Sequence, residues 1–332
     1  MRCVRGTAAA VALAVTATAC GASATTPKGT FTIGLALEAG GPGDLSYNDV
    51  AVSGIDRIRT TAEVRLSQAT ARPNEPEGDR ETRLRTLAQG NRMVIALGPA
   101  YTRAVERTAK AFPKVKFLVV DPERCKVSGA NVAGACFRTE QGAYLAGAAA
   151  ALKTKSNVIG FIGGTGYPDA ARFQAGYEAG AKATRPDIRI LPARYVTTEK
   201  EAREAAKQQL DGGADIVFQA AGRPGAAVIA AVAGAGRQVI GSGADQYHLP
   251  ALASSREHIL TSALKRVDLA VFLFFVLSAD GFKTGTENYD LKLDGVGYAT
   301  AGGRLDDVAP RLDALRLALL DRKVKAPATP QK

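Results

Sequence analysis

Short apolar runs alternate with longer stretches of helical character from Thr30 onward. Most of the short runs lack a strict polar–apolar alternation, which is typical of strands buried on both faces of a parallel sheet. We predict strands of this kind at 31–37, 64–68, 93–97, 116–120, 158–162, 188–191, 216–219 and 238–240.

Helices are predicted between these strands, at 48–61, 79–89, 100–112, 140–153, 169–184, 199–211 and 225–233. Repetition of strand, helix and strand predicts an α/β fold with doubly wound sheets. The pattern starts again at Val158 after an alanine-rich helix, so we expect two similar lobes.

Two further helices are predicted near the end of the chain. The apolar stretch 269–279 lies between Asp268 and Asp280 and is shorter than the about twenty residues that a bilayer span needs, so we expect a buried helix. Residues 326–332 are expected to form a flexible tail. A second helix is predicted before this tail, because apolar residues that share one helical face follow two capping candidates. The capping candidates are Asp306 and Asp307, and the apolar residues are Val308, Leu312, Leu315 and Leu319.

The start of the chain has the pattern of an export signal. Arg2 and Arg5 precede an uncharged apolar run at 7–19 that is too short for a permanent membrane anchor. The sequence Ala-Thr-Ala-Cys at 17–20 resembles a bacterial lipobox. It predicts a signal peptide at 1–19, a lipid on Cys20 and a tether at 20–29, which anchor the protein to the outer face of the cell membrane. Cleavage after Ala24, at an A-x-A site, would instead release a soluble extracytoplasmic protein.

Composition is that of a globular protein, with 46% hydrophobic and 23% charged residues. The net charge of +11 is scattered along the chain, which favours attraction to an anionic cell surface. Nucleic-acid binding is not expected of an exported chain with 6% aromatic residues and no recognisable binding module.

Four cysteines agree with export. Cys3 leaves with the signal peptide and Cys20 carries the lipid, which leaves Cys125 and Cys136. In an oxidising compartment this pair forms a disulfide, or else two buried free thiols. The spacing matches no zinc site and the chain has only 2 histidines, so we expect neither a metal nor a cofactor.

Polar residues that follow predicted strands are the candidates for ligand binding, because ligands of α/β sheets bind beyond the carboxyl ends of the strands. The first such loop is rich in glycine and runs from Glu38 to the start of a helix. The candidate ligand-binding residues are Glu38, Tyr47, Asn48, Asp121, Gly222, Asp245 and Lys265.

In order along the chain, these segments resemble the basic membrane protein (BMP) family of PnrA-like lipoproteins, which bind purine nucleosides for ABC importers. The resemblance spans residues 30 to about 325. Five motifs of the family match segments of this chain in order. The first, an acidic strand end followed by glycines and D-x-S-F-N, matches 38–48. The others are E-x-G-A-Y-L-A-G at 140–147, F-x-x-G-Y/F-x-A-G at 173–180, G-A-D-x-x-x-x-A-A-G at 213–222 and T-S-x-x-K at 261–265.

The resemblance implies a type I periplasmic-binding-protein fold, with two Rossmann-like lobes joined by a hinge. Lobe I would comprise 30–137 plus about 262–298, and lobe II 138–261 plus about 299–325. A nucleoside-like solute would bind between the lobes of a monomer and pass to an ABC permease with its ATPase.

The resemblance also implies a role for four of the candidate residues. Glu38 would bind the ribose hydroxyls, Tyr47 would stack on the base, Asp121 would contact the base edge and Lys265 would reach the sugar. Charged partners suit a neutral diol, because hydrogen bonds to ionised groups are the stronger kind.

The chain departs from the family pattern in three places. The first motif has Glu38 and Tyr47 in place of the commoner aspartate and phenylalanine. The loop G-V-D-S-D-Q reads Gly-Ser-Gly-Ala-Asp-Gln at 241–246, with Gly243 in place of an aspartate. A second aromatic wall is expected near 195–199, where Thr197, Thr198 and Glu199 stand.

Two other functions share some of these features. A ligand-sensing lipoprotein that presents the solute to a membrane receptor would need the same pocket and anchor. A serine hydrolase of the penicillin-recognising type has S-x-x-K, S-x-N and K-T-G motifs, which match 262–265, 46–48 and 283–285. Their order along the chain does not fit that class, so we do not expect an enzyme.

Overall fold

The computed structural model describes residues 30–167 and 169–330. The predicted signal peptide, the tether and the lipidation of Cys20 lie outside the described residues. The strands are β1 (Phe31–Leu37), β2 (Val64–Thr70), β3 (Met93–Leu97), β4 (Lys116–Val120), β5 (Val132–Phe137), β6 (Val158–Gly164), β7 (Arg189–Ile190), β8 (Arg194–Val196), β9 (Ile216–Ala220), β10 (Gln238–Gly243), β11 (Ile259–Lys265), β12 (Gly285–Tyr289) and β13 (Val296–Tyr298).

The helices alternate with the strands through most of the chain. They are α1 (Tyr47–Arg59), α2 (Glu77–Gly90), α3 (Thr102–Ala111), α4 (Thr139–Lys153), α5 (Ala170–Thr184), α6 (Glu199–Asp211), α7 (Gly225–Gly234), α8 (Val267–Asp280) and α9 (Ala309–Leu320). No helix among the described residues is long and apolar enough to cross a bilayer.

The strands form two sheets, as the restarting pattern predicts. The first sheet has the order β12-β5-β4-β3-β1-β2, and all of its strand pairs are parallel. The second has the order β13-β11-β10-β9-β6-β7, with β8 also paired to β6 and with β13 antiparallel to β11. The two sheets with their helices are the two lobes of an α/β fold.

Helices cover both faces of the first sheet, which explains why its central strands are continuously apolar. Ile33 of β1 packs on one face with Ile55 of α1 and Val271 of α8. On the other face Ala36 packs with Leu84 of α2. The predicted apolar helix is therefore α8, which supplies core to the first lobe.

Two glycine-rich motifs, at 140–147 and 173–180, lie in α4 and α5 and bring these helices unusually close. A Cβ on Gly147 would lie 2.0 Å from the carbonyl oxygen of Tyr177, and one on Gly180 would lie 1.9 Å from that of Tyr144. Glycine inside a helix costs about 1 kcal/mol relative to alanine. These motifs therefore encode helix packing rather than ligand contacts.

The chain passes between the lobes at three points within the described residues. It leaves the first lobe after β5, returns between β11 and α8, and leaves again between β12 and β13. We expected the last two passages near 262 and 298. Pairing of β11 with β10 and of β13 with β11 moves them to about Lys265 and to just before Val296.

Two features near the carboxyl end of the chain and one disulfide complete the description of the fold. Leu312 of α9 packs in the core of the second lobe and Leu319 in that of the first, so α9 contacts both. Ala326, where we predicted the flexible tail to begin, packs against the first core. Cys125 and Cys136 are joined by a disulfide.

Candidate ligand-binding site

Lys265 lies at the centre of the space where the lobes meet. It ends β11 of the second lobe, and its side chain is only 2% exposed. Its Nζ donates to Oδ2 of Asp121 at 2.5 Å and also to Oδ2 of Asp169. Asp121 follows β4 of the first lobe and Asp169 precedes α5 of the second, so one ammonium joins both lobes.

This cluster contains two carboxylates and one ammonium, and burial makes its charges interact strongly. Burial alone would lower the pKa of Lys265, but Asp121 and Asp169 outweigh it and raise that pKa above its usual value. Burial also raises the pKa of Asp121, and the nearby Asp169 adds to the rise while Lys265 opposes it. The lysine is therefore firmly charged, and the carboxylates compete for it.

Aromatic rings surround the ammonium on the first-lobe side. Tyr47, the first residue of α1, donates its hydroxyl hydrogen to Oδ2 of Asp121 at 2.8 Å. The Nζ of Lys265 lies 4.6 Å from the centre of the Tyr47 ring and 5.2 Å from that of Phe137. Both distances allow cation–π attraction. The structure thus brings Tyr47, Asp121 and Lys265, three of the candidate residues, into contact.

The backbone holds Asp121 in an unusual conformation. Its φ is +54°, in the left-handed region that few residues other than glycine adopt, and Arg124 and Cys125 have similar values. The Asp121 N–H donates to the carbonyl of Ala135 on β5 at 2.7 Å. The disulfide from Cys125 ends on the same strand, next to Phe137, so it ties the Asp121 loop to the strand carrying the second ring.

Glu38, which follows β1, and Asn48, the second residue of α1, lie close to this cluster. Oδ1 of Asn48 accepts from the Glu38 N–H at 3.0 Å, and its Nδ2 donates to Oδ2 of Asp44 at 3.0 Å. Asn48 therefore holds the loop in shape. Burial raises the pKa of the Glu38 carboxyl. That carboxyl fits only because Gly98 has no side chain, since a Cβ there would lie 1.8 Å from Oε1.

Direct hydrogen bonds close the lobes on each other around the cluster. Arg223 donates to the carbonyl of Gly40 at 2.8 Å, and Nε2 of Gln246 donates to the carbonyl of Leu45 at 3.0 Å. A third bond runs from the Ser46 hydroxyl to the carbonyl of Ser242 at 3.2 Å.

The other two predicted residues occupy different surroundings. Gly222 has a φ of +64° and lies beside the ring of Tyr167, which faces the cleft. Asp245 is not brought to the cluster. Its carboxylate caps a short turn by accepting from the Tyr247 N–H at 3.3 Å, and it lies 3.8 Å from the ring nitrogen of His248.

Sequence reasoning missed three residues that contribute to the site, namely Phe137, Tyr167 and Asp169. The sequence predicts Asp169 only as the first residue of a helix, and Tyr167 lies outside every predicted element. Phe137 ends β5, a strand that was not predicted because it contains glycine and alanine. A strand prediction there would have placed Phe137 at a carboxyl end.

The hydrolase motif does not assemble. Ser262 and Lys265 lie on a strand, where residues three apart point to opposite faces, whereas S-x-x-K chemistry needs both side chains together. The Ser262 hydroxyl accepts from the Gln246 N–H at 3.1 Å, and Lys265 contacts carboxylates instead. Within 30–167 and 169–330 no three His, Cys, Asp or Glu side chains group to hold a metal.

Comparison with known proteins agrees with this architecture. A family model described as "ABC transporter substrate-binding protein PnrA-like" matches residues 33–313. A Listeria innocua protein named "CD4+ T-cell-stimulating antigen" is 29% identical over 96% of each chain. A Lactococcus lactis protein named "ABC transporter nucleoside-binding protein BmpA" is 31% identical over 72% of each chain.

Solved structures show the same fold. A solute-binding protein of an ABC transporter system from Aeropyrum pernix has a TM-score of 0.75 at 23% identity, covering 91% of this chain and 94% of its own. The family match spans most of the sequence, and its members are substrate-binding proteins rather than enzymes. The chain therefore belongs to the PnrA-like family of ABC transporter substrate-binding proteins.

Proposed function

We propose that this protein captures a nucleoside between its two lobes, outside the cytoplasm, and delivers it to an ABC permease. The observation that carries the proposal is the buried cluster of Tyr47, Asp121 and Lys265, which combines an aromatic ring with charged hydrogen-bonding groups from both lobes. A nucleoside presents the matching chemistry, a flat base and a sugar diol. The name of the Lactococcus lactis relative supports the same ligand class.

Each part of the cluster has a role in this proposal. The Tyr47 ring supplies a stacking surface, which is worth about 1–3 kcal/mol per base in nucleic-acid complexes. Asp121 and Lys265 supply charged partners for the base edge and the sugar, and Glu38 supplies a further carboxylate at the end of β1. Because the cluster lies at the lobe interface, the lobes must open around the three chain passages to admit the ligand.

The chain enters the first lobe at a position that suits an anchor. Thr30 precedes the amino end of β1, whereas Glu38 and the cluster lie at its carboxyl end. A tether from a lipid on Cys20 would therefore attach at the end of the lobe opposite the cleft. This arrangement leaves the cleft accessible to solute and to a permease.

The test is ligand binding by the chain from residue 25 onward, which retains every described element. Thermal unfolding is followed with purine and pyrimidine nucleosides, free bases and pentoses. A ligand at about 100 times its dissociation constant should add about 2.7 kcal/mol of stability. A shift with nucleosides but not with pentoses supports the proposal, and folded, ligand-free protein that responds to no nucleoside refutes it.

Matched variants test the assignment of residues. Tyr47→Ala and Asp121→Ala should each weaken nucleoside binding at least about tenfold, since each loses a stacking or a charged contact. Leu317→Ala is the control, because Leu317 is 58% exposed on α9. Equal affinity in all three variants would mean that the pocket lies elsewhere.

Anchoring needs a separate measurement. Mass spectrometry of the amino-terminal peptide from membranes should find Cys20 as the first residue with a lipid attached. Cys20→Ser should release the protein into the soluble extracytoplasmic fraction. An unmodified terminus at Thr25 would instead support cleavage after Ala24.

A further inference from the structure

The second lobe contributes an aromatic ring and a carboxylate to the cleft, but not from the positions where the family pattern has them. Thr198, in the segment where an aromatic wall is expected, caps α6 by accepting from the Glu201 N–H at 3.2 Å. Gly243 stands in place of an aspartate. The ring and the carboxylate are those of Tyr167 and Asp169, in the connection between β6 and α5.

Asp169 is buried, and its side-chain hydrogen bond within the described residues is to Lys265. Its side chain is 9% exposed and does not cap α5, although it stands at the amino end of that helix. A carboxylate at the amino end of a helix usually accepts hydrogen bonds from the N–H groups of the first helical turn. Here the carboxylate turns to the cleft instead.

Tyr167 faces Tyr47 across the lobe interface. The two rings meet edge to face with centres 6.4 Å apart, and behind it Tyr167 lies nearly parallel to Phe173 at 6.5 Å. The Tyr167 hydroxyl is buried and lies close to the Ser46 hydroxyl of the first lobe. A hydroxyl group at the lobe interface can exchange this neighbour for a ligand when the lobes open.

Gly243 explains why the carboxylate comes from elsewhere. Its φ is +80°, and a Cβ there would lie 2.5 Å from the hydroxyl oxygen of Ser46 in the first lobe. An aspartate at this position would strain the backbone and displace the Ser46 hydroxyl from its contact with Ser242. The closed arrangement of this chain therefore disfavours the family's aspartate.

We infer that Tyr167 and Asp169 are the ligand-binding pair of the second lobe, and that they replace the aromatic wall and the aspartate missing near Thr198 and at Gly243. The inference rests on the proposed nucleoside-binding function and deepens it. A base enters between Tyr47 and Tyr167, and Asp169 accepts hydrogen bonds from the sugar or base. With two carboxylates against one ammonium, the cluster selects a neutral or cationic ligand over a phosphorylated one.

The first test compares four variants with the wild type by titration calorimetry. Tyr167→Ala and Asp169→Asn should each weaken nucleoside binding about tenfold or more. Leu317→Ala and Asp211→Asn are controls at exposed side chains and should bind as the wild type does. Wild-type affinity in both Tyr167→Ala and Asp169→Asn overturns the inference.

The second test concerns charge selection. The wild type should bind a nucleoside 5′-monophosphate much more weakly than the nucleoside. Asp169→Asn removes one negative charge, so it should narrow that ratio by about tenfold, the effect of about 1.4 kcal/mol. An unchanged ratio would contradict the role of Asp169 in selection.

A ligand-free measurement separates this inference from the proposed function. If Tyr167 packs against Tyr47 of the first lobe across the cleft, Tyr167→Ala should raise the radius of gyration in small-angle X-ray scattering, and Asp211→Asn should not. If the wild type binds no nucleoside, the proposed function fails, and this measurement still decides the placement of Tyr167. An unchanged radius in Tyr167→Ala overturns that placement.

Discussion

Replacing Lys265 by methionine tests whether the cluster holds the lobes together. The change keeps the length of the side chain and removes the ammonium, which leaves the carboxylates of Asp121 and Asp169 buried without their cation. Removing one partner of a buried ion pair costs about 3–5 kcal/mol. Asp121 keeps the hydrogen bond from Tyr47, and proton uptake by a carboxylate limits the cost, so we expect about 3–4 kcal/mol at pH 7.

The loss of stability in Lys265→Met should depend on pH, and the pKa of Asp121 determines the direction of that dependence. Burial already raises the pKa of Asp121 above its usual 3.8 in the folded state, and removal of the lysine raises it further. A carboxyl group with a raised folded-state pKa favours folding below its unfolded-state pKa and loses that contribution as pH rises through the folded value. The destabilisation of Lys265→Met should therefore shrink as the pH falls from 7 towards 4.

Urea unfolding followed by circular dichroism measures the difference in unfolding free energy between the wild type and Lys265→Met at each pH. The comparison requires that the free energy of both proteins falls with urea at the same slope. Lys323→Met is the matched control, because Lys323 is 74% exposed and forms a surface ion pair with Asp321, and it should change stability by less than about 0.5 kcal/mol. Adding Asp169→Asn to Lys265→Met should recover part of the loss. A loss below about 1 kcal/mol at pH 7, or one that grows towards acid, would refute the reasoning.

Two further predictions concern the loops that present the site. Gly98→Ala should lower stability by about 2 kcal/mol or more, because the glycine has a φ of +97° and the new Cβ would collide with Glu38. Gly78→Ala, on an open helix surface, should leave it unchanged or slightly higher, and thermal unfolding compares the two. Replacing both Cys125 and Cys136 by serine should cost about 3 kcal/mol by loop entropy, and calorimetry should also show weaker ligand binding as the Asp121 loop loosens. Unaltered affinity in that variant would mean that β4 and β5 alone position Asp121.

Much of the fold is predictable because buried strands have a simple signal. The runs at 31–37, 93–97 and 116–120 match β1, β3 and β4 in the structure. They lie in the middle of a sheet, so both faces must be apolar. Strands β11 and β12 lack this signal, since β11 contains threonine, serine and lysine and β12 reads Gly-Thr-Glu-Asn-Tyr.

The site is predictable only in part. Tyr47, Asp121 and Lys265 follow from the rule that ligands bind at the carboxyl ends of strands, together with the family motifs. Asp169 does not, because an aspartate before a helix has the same appearance in the sequence whether it caps the helix or turns to the cleft. The structure distinguishes the two roles because it places Lys265 of β11 within hydrogen-bonding distance of the Asp169 carboxylate.

The order of strands in the first lobe has a consequence for how the protein folds during its synthesis. Its sheet includes β12, and the face of β1 that carries Ile33 is covered by Val271 of α8, yet both elements are made after nearly all of the second lobe. Domains tend to fold as units while the chain is synthesised. This first lobe cannot complete its sheet until Tyr289 has been made, so it stays incompletely folded until nearly the whole chain has been synthesised.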